Sequence, residues 1–322
     1  MPSRRATIQS LAKINLDLRV LHKHESGFHE LRTVFQTISL ADTIQIEFEN
    51  ARRTAVTIDD PLAIADNLVV RAATAVLDAL KIHARVHFRL RKRIPMGGGL
   101  GGGSSNAAAV LLALPVLAGK ALDTHENTHR IAAELGSDVP FFLTGGTALG
   151  IGRGTEVYPL EDLKPEPILV ISPGLHVATG PAYLALGRGL TADDSSSRIN
   201  SFQAFVGALA SGLSAGAASP FSANDFETVV FRQHPLLKTI ERKLSKLGTT
   251  GVRMTGSGSA IFGIFGSRQA RDRAAMELKG THSVMPASLV SRGAYRRLWR
   301  RQLSQHIRVD ESLWPLQSRY AK

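Results

Sequence analysis

The stretch that most constrains this chain is residues 95–110, Pro95-Met-Gly-Gly-Gly-Leu-Gly-Gly-Gly-Ser-Ser-Asn-Ala-Ala-Ala-Val110, where six glycines fall within the seven positions from Gly97 to Gly103. Glycine loses more backbone entropy on folding than any other residue. A folded chain therefore keeps such a run only where the backbone must approach something closely or turn through positive φ. Upstream, Val86-His-Phe-Arg-Leu90 alternates with the period of a strand. Downstream, Ser104, Ser105 and Asn106 are N-cap residue types, and Ala107 to Leu114 is predicted to be helical. Strand, glycine loop and helix N-terminus together present free N–H groups and a positive dipole end to an anion. The loop is expected to hold phosphate.

Other readings of the same stretch fit less well. A flexible Gly/Ser linker does not open directly into an apolar Ala/Leu/Val helix. A Walker A loop is excluded, because no Gly-Lys-Ser/Thr follows the glycines. Gly97, Gly99 and Gly102 match G-x-G-x-x-G in spacing, but a dinucleotide fold also needs a second strand with an acidic residue about 20 positions on. Here the helix is followed by polar Asp123-Thr-His-Glu-Asn-Thr128 instead.

The chain has 322 residues, enough for about two domains. Its 43% hydrophobic and 20% charged residues are those of a globular protein. It has no cysteine, which excludes disulfides, thiolate metal sites and cysteine nucleophiles and suits a reducing cytoplasm. No apolar segment follows the basic start Met1-Pro-Ser-Arg-Arg5, and the longest apolar run, Ala107 to Gly119, is too short for a bilayer and contains Pro115. A cytoplasmic protein without a membrane span is expected, its oligomeric state left open. The net charge of +12 suits an anionic substrate or nucleic acid. Residues 288–322 hold eight Lys/Arg against two Asp/Glu, half of that net charge, together with both tryptophans, Trp299 and Trp314. Composition thus separates a basic extension from the body.

Along the body, residues 6–20 are expected to form a strand, which would put Lys13 and Asn15 on one face, where they could also be ordinary solvent-facing residues. Residues 25–31 contain a turn signal and then Phe28-His29. Val34–Leu40 and Asp42–Phe48 are predicted as two further strands, and Asp66-Asn67 as the cap of a helix through Leu80. His125 to Leu135 should be a helix stopped by Gly136. In Ser137-Asp138-Val139-Pro140 an acid stands before an apolar run, the usual place of a helix cap or turn residue. Thr144 to Gly154 has the pattern of a glycine-broken strand or hairpin, and Lys164-Pro-Glu-Pro167 that of a linker. Ile168–Ile171 opens a second unit with a buried strand. Helical segments follow near 195–216, after Asn224-Asp225-Phe226-Glu227, and over 234–247 and 268–278. Between the last two, Met254 to Phe265 is a second glycine element, a small-residue turn feeding an apolar strand. Mixed β and α segments without clean βαβ repeats favour an α+β fold.

Three motifs in this order resemble the GHMP kinases: Ala12-Lys13-Ile14-Asn15-Leu16, Pro95 to Ala108, and Thr255-Gly-Ser-Gly-Ser-Ala260. A finer match, carried also by Gly27-Phe-His29, Asp66-Asn-Leu68 and Gly136-Ser-Asp-Val-Pro140, is to the branch of that superfamily whose acceptor is a cytidyl-diphosphate derivative of a methylated four-carbon polyol, in the non-mevalonate route to isoprenoids. The resemblance spans about residues 8–285. It implies two domains, 1–164 and 165–287, with ATP and acceptor meeting in the cleft between them and residues 288–322 as an extension. By that resemblance Asp138 is the catalytic base and Lys13 the lysine that orients the acceptor hydroxyl, a pairing suited to phosphoryl transfer. Pro95, Met96, Gly97, Gly98, Gly99, Leu100, Gly101, Gly102, Gly103, Ser104, Ser105 and Asn106 would cradle ATP, with Ser104 or Ser105 meeting phosphate or Mg2+; the metal ligands are not assigned. Asn67, Leu68 and Lys92 match positions near the adenine, although a helix cap, a core residue and an exposed strand charge explain them equally well. Phe28, His29 and Tyr183 would recognise cytidine by stacking and by the cytosine edge. Asn15, Thr179, Gly256, Ser257 and Gly258 would supply further substrate contacts.

Two departures from the family pattern stand out. Position 28 is more often Tyr there and position 183 often Phe, so the rings persist while a hydroxyl moves from one to the other. The extension, with Arg296-Arg297-Leu-Trp299-Arg300-Arg301, runs past the usual family end. Basic residues interleaved with aromatics suit nucleic-acid or membrane-surface contact, and equally a helix packed on the body or a partly disordered basic end, the plainer reading of a charge run. The rival classes are another GHMP small-molecule kinase of homoserine or mevalonate type, a basic nucleic-acid-binding protein, and a dinucleotide-dependent oxidoreductase.

Overall fold

Two long antiparallel strands organise the molecule. The computed structural model describes residues 3–25, 27–122, 125–187, 195–280, 282–308 and 313–321. In it β1 (Arg4–Lys23) and β2 (His29–Asn50) pair along almost their whole length. The other edge of β2 is shared. Its second half pairs with β4 (Ala84–Arg91), itself flanked by the parallel β3 (Ala55–Asp59), and its first half pairs with β5 (Thr147–Gly152), which turns into β6 (Glu156–Pro159). The two strands expected over 34–40 and 42–48 are therefore one. Between the pairs Leu11↔Ala41 and Lys13↔Thr37 strand β2 has more residues than β1, and the surplus forms a bulge. That bulge shifts the alternation and imitates a chain break in the sequence.

Helices α1 (Leu68–Ala79), α2 (Gly102–Ala118), α3 (His125–Leu135) and α4 (Val139–Thr144) pack on this sheet. Almost every residue of α2 from Ser105 to Leu117 is buried, as an all-apolar helix requires. It is the axis of a core that also holds Phe48, Phe88, Phe141 and Phe142.

The second unit is the antiparallel sheet β10-β7-β9-β8, made of β7 (Pro167–Ser172), β8 (Thr249–Met254), β9 (Ile261–Phe265) and β10 (Ser283–Ser288). Helices α5 (Thr179–Leu186), α6 (Ser195–Ala210), α7 (Ala215–Ala218), α8 (Glu227–Gln233), α9 (Pro235–Ser245) and α10 (Arg268–Glu277) accompany it. The two units share apolar cores: Ala12, Ile14 and Leu16 of β1 pack with Ile168, Phe202, Phe205 and Phe262. The outward alternates of β1 are polar yet buried, and they run along the seam. Asp17 and Arg19 pair there, Asp17 accepting from Ala223 N at 2.8 Å and Arg19 donating to Phe221 O at 3.2 Å.

The extension continues as α11 (Arg292–Gln302) and returns to the first unit, burying Tyr295, Trp299 and Leu303 in the α2 core. The packed helix expected of its aromatic pattern is observed, with the aromatics turned to the core. No helix among the described residues is long and apolar enough to cross a membrane.

Candidate active site

The expected order of strand, glycine loop and helix is observed with one change of boundary. Helix α2 starts inside the glycine run, with Gly101 as its N-cap at φ 69°, so Ser104, Ser105 and Asn106 belong to its first turns. The cap residue has no side chain to accept a hydrogen bond, and Ser105 N is the one that returns to Gly101 O, at 2.8 Å. The N–H groups of Gly102, Gly103 and Ser104 are thus left without helical partners. A serine at the cap would have accepted from one of these N–H groups. Two positions show why glycine is required. A Cβ on Gly101 would lie 2.9 Å from the Phe142 ring, and one on Gly99 would lie 2.2 Å from Thr255 O. At Gly99, then, the loop is glycine so that it can pack against the second glycine element.

The loop borders a cavity of about 320 Å3, lined by Asn67, Leu68, Lys92 and residues 95–104 and 106. The two serines separate here. Ser105 is buried and donates to Leu11 O at 2.6 Å, so its hydroxyl is taken; Ser104 faces the cavity. Asn67 acts as the cap of α1, accepting from Val69 N at 3.0 Å. Lys92 is not an exposed strand charge: its ammonium pairs with the fully buried carboxylate of Asp42. Asp42 also accepts from Arg93 N at 2.7 Å, Ile94 N at 2.9 Å and Asn106 Nδ2 at 3.1 Å. It thereby ties the exit of β4 to the first turn of α2. The sequence showed Asp42 as an acid at a strand start and nothing more.

Across the loop stands the charged pair. Asp138 occupies the N-cap position of α4, but its carboxylate caps nothing. It lies instead 3.2 Å from Lys13 Nζ, with Lys13 3% and Asp138 29% exposed at the side chain. The lysine is built in and the carboxylate is reachable. A shift in the β1 register brings Lys13 here: its N–H leaves β2 and bonds Leu100 O of the glycine loop at 3.0 Å. Asn15, on the same face, accepts from Lys13 Nζ at 2.8 Å and from Gly256 N at 2.9 Å, and donates to Thr33 Oγ1 at 2.8 Å. Its buried amide braces the two units, so it is not the solvent-facing residue that the strand alone allowed. Gly256 and Gly258 turn at φ 57° and 93°, and Ala260 N closes on Gly98 O at 3.2 Å.

A second cavity, of about 540 Å3, opens beside Ser137, the residue before Asp138. Its walls include Phe28, His29, Thr179 and Tyr183, all expected there. The rings of His29 and Tyr183 stack at 4.8 Å between centroids, and Tyr183 in turn meets Phe226 edge-on. Burial, and next the charge of Asp138, raise the Tyr183 phenol above its ordinary range, so it stays neutral. Thr179 Oγ1 and Ser257 Oγ lie 2.9 Å apart and join α5 to the second glycine element. Lys23 and Arg153 also line the cavity, and the Arg153 guanidinium covers the Phe28 ring at 3.4 Å. Neither cation was expected. Arg153 follows the glycine-broken strand as a lone charge, and only the fold brings it near Phe28.

A mixed two-unit fold with an uncapped glycine-loop helix facing a lysine–aspartate pair defines a GHMP kinase, and the family models agree: GHMP kinases N terminal domain matches residues 67–146 and GHMP kinases C terminal matches 203–282. The chain belongs, within that class, to the 4-diphosphocytidyl-2-C-methyl-D-erythritol kinases. It is 53% identical over 325 residues to the enzyme of that name from Solibacter usitatus (strain Ellin6076), covering 99% of this chain and 98% of the relative. An enzyme of the same name from Thermus thermophilus is 39% identical, over 83% of this chain and 90% of its own length. A crystal structure of 4-(cytidine 5'-diphospho)-2C-methyl-D-erythritol kinase superposes with a TM-score of 0.72 at 37% identity, covering 88% of this chain and 98% of that one. Homoserine kinase from Cytophaga hutchinsonii, at 17% identity and a TM-score of 0.66, shares the fold.

Proposed function

We infer that the chain transfers the γ-phosphoryl group of ATP to the 2-hydroxyl of 4-diphosphocytidyl-2-C-methyl-D-erythritol, giving the 2-phosphate and ADP in isoprenoid precursor synthesis. Family membership over nearly the full chain supports the substrate. The observation that carries the chemistry is the Lys13–Asp138 pair, set between a backbone-lined cavity and a ring-lined one. The uncapped N–H groups of Gly102, Gly103 and Ser104 suit the ATP phosphates, with Leu68, Met96 and Lys92 flanking the nucleotide. Phe28, His29 and Tyr183 suit a cytosine ring, and Lys23 and Arg153 suit its diphosphate.

Asp138 accepts the proton of the acceptor hydroxyl as that oxygen bonds to the γ-phosphorus. The bond from the γ-phosphorus to the bridging oxygen breaks, and ADP leaves with the electron pair. Lys13 holds the carboxylate in place and offers positive charge beside the transferring group. Ser104 lines the loop cavity and would meet Mg2+ carried on the ATP phosphates, where the ion would neutralise charge. No protein step depends on its placement. A cytoplasmic place of work suits both the use of ATP and a chain without cysteine.

An ADP-coupled assay with the cytidyl acceptor, homoserine and mevalonate tests this reading. ADP release on the cytidyl acceptor alone is expected; turnover of either control in its place would reassign the substrate within the same fold.

A further inference from the structure

The extension after β10 touches the helix that follows Asp138. That helix, α4, has only the six residues Val139–Thr144. A helix this short is not stable by itself, and its last carbonyls have no helical partners. Phe141 O is closed by Gly145 N at 2.8 Å. The next two carbonyls are closed from the far end of the chain. Tyr295 donates its hydroxyl to Phe142 O at 2.6 Å, and Trp314 donates Nε1 to Leu143 O at 2.9 Å.

The contact is built closely. Tyr295 is 2% exposed, and a Cβ on Gly145 would stand 2.3 Å from its ring. A Cβ on Gly146 would collide with Arg292 in the same way. Arg292 donates to Leu160 O at 3.0 Å, while Asp162 accepts from Arg292 N at 2.6 Å and from Gly293 N at 3.2 Å, which locks the start of α11. The chain of contacts continues to the reacting groups. Phe142, whose carbonyl Tyr295 holds, presents its ring to Gly101, and the Lys13 stem reaches the same spot.

We propose that Tyr295 and Trp314 are positioning residues: by holding the C-terminal carbonyls of α4 they set where Asp138, at its other end, meets Lys13 and the acceptor hydroxyl. This rests on Asp138 as the base. The extension, left without a role by the reaction itself, is on this account part of the active-site scaffold. A small displacement of a general base is enough to slow transfer, because proton acceptance needs hydrogen-bond reach.

The test uses the full chain with Tyr295→Phe, Trp314→Phe and the double variant, each in the wild-type and Asp138→Asn backgrounds, and with Arg301→Ala on the exposed side of α11 as a control. Single-turnover rates and both KM values are measured below the unfolding transition. The expected result is a fall of about tenfold in kcat for the double variant, with both KM values within about twofold of wild type. That fall should disappear in the Asp138→Asn background, because the residues act through that carboxylate. Arg301→Ala should match wild type. A folded double variant with wild-type kcat, or an equal loss with and without Asp138, overturns the proposal. Full activity of Asp138→Asn alone overturns the assignment of the base, and the positioning role with it.

Discussion

The two cavities beside Lys13 and Asp138 are built from different material. The side proposed for the nucleotide is mostly main chain: a helix begun at Gly101 with no side-chain cap, and glycines whose missing Cβ atoms let the loop rest on Thr255 and Phe142. The side proposed for the acceptor is mostly side chain: stacked His29 and Tyr183, Phe28 beneath Arg153, and Lys23. A phosphate is the same in every nucleotide and can be met by backbone donors, whereas a particular acceptor needs particular rings and charges. The first kind of site tolerates almost no substitution. The second can exchange one ring or cation for another and keep a stacking face and a positive charge.

Substitutions on the two sides should therefore fail differently. The largest effect is expected beneath the nucleotide side. Asp42→Asn removes the buried carboxylate that pairs with part-buried Lys92 and should cost roughly 3 kcal/mol of stability, read by urea unfolding. Next, Gly101→Ala forces a Cβ at positive φ against Phe142 and should lower kcat/KM for ATP by at least about 100-fold. Tyr183→Ala should raise KM for the cytidyl acceptor roughly 10–100-fold, from the loss of one base-stacking face, and leave KM for ATP unchanged. Equal movement of both KM values would mean that the cavities are not separate sites. Arg153→Gln should raise the acceptor KM only about 2–5-fold, and more at low than at high salt, as an exposed cation does.

Legibility followed the same division. The strand–glycine–helix order, the Asn67 cap and the shared face of Lys13 and Asn15 could be read locally, because each depends on neighbours in the chain. Resemblance, not periodicity, singled out Asp138, since an acid before an apolar turn is ordinarily a cap. The structure shows it at the cap position with its carboxylate turned to Lys13. The start of α2 was missed because Ser104, Ser105 and Asn106 are good capping residues. Two of the three instead point inward, Ser105 to Leu11 O and Asn106 to Ser10 and Asp42. Asp42, Arg153 and the docking of Tyr295 on Phe142 were not legible at all. Each depends on a partner brought close only by the folded chain, such as the pair Tyr295 and Phe142, 153 residues apart.

The central claim is that Asp138 takes the acceptor proton at a site where both substrates are bound by other groups. The most direct measurement is kcat of Asp138→Asn with 4-diphosphocytidyl-2-C-methyl-D-erythritol and ATP, alongside calorimetric binding of each. The account predicts a fall in kcat on the order of 10²–10⁴-fold with both Kd values within about threefold of wild type. A kcat close to wild type in a variant that binds both ligands would contradict it.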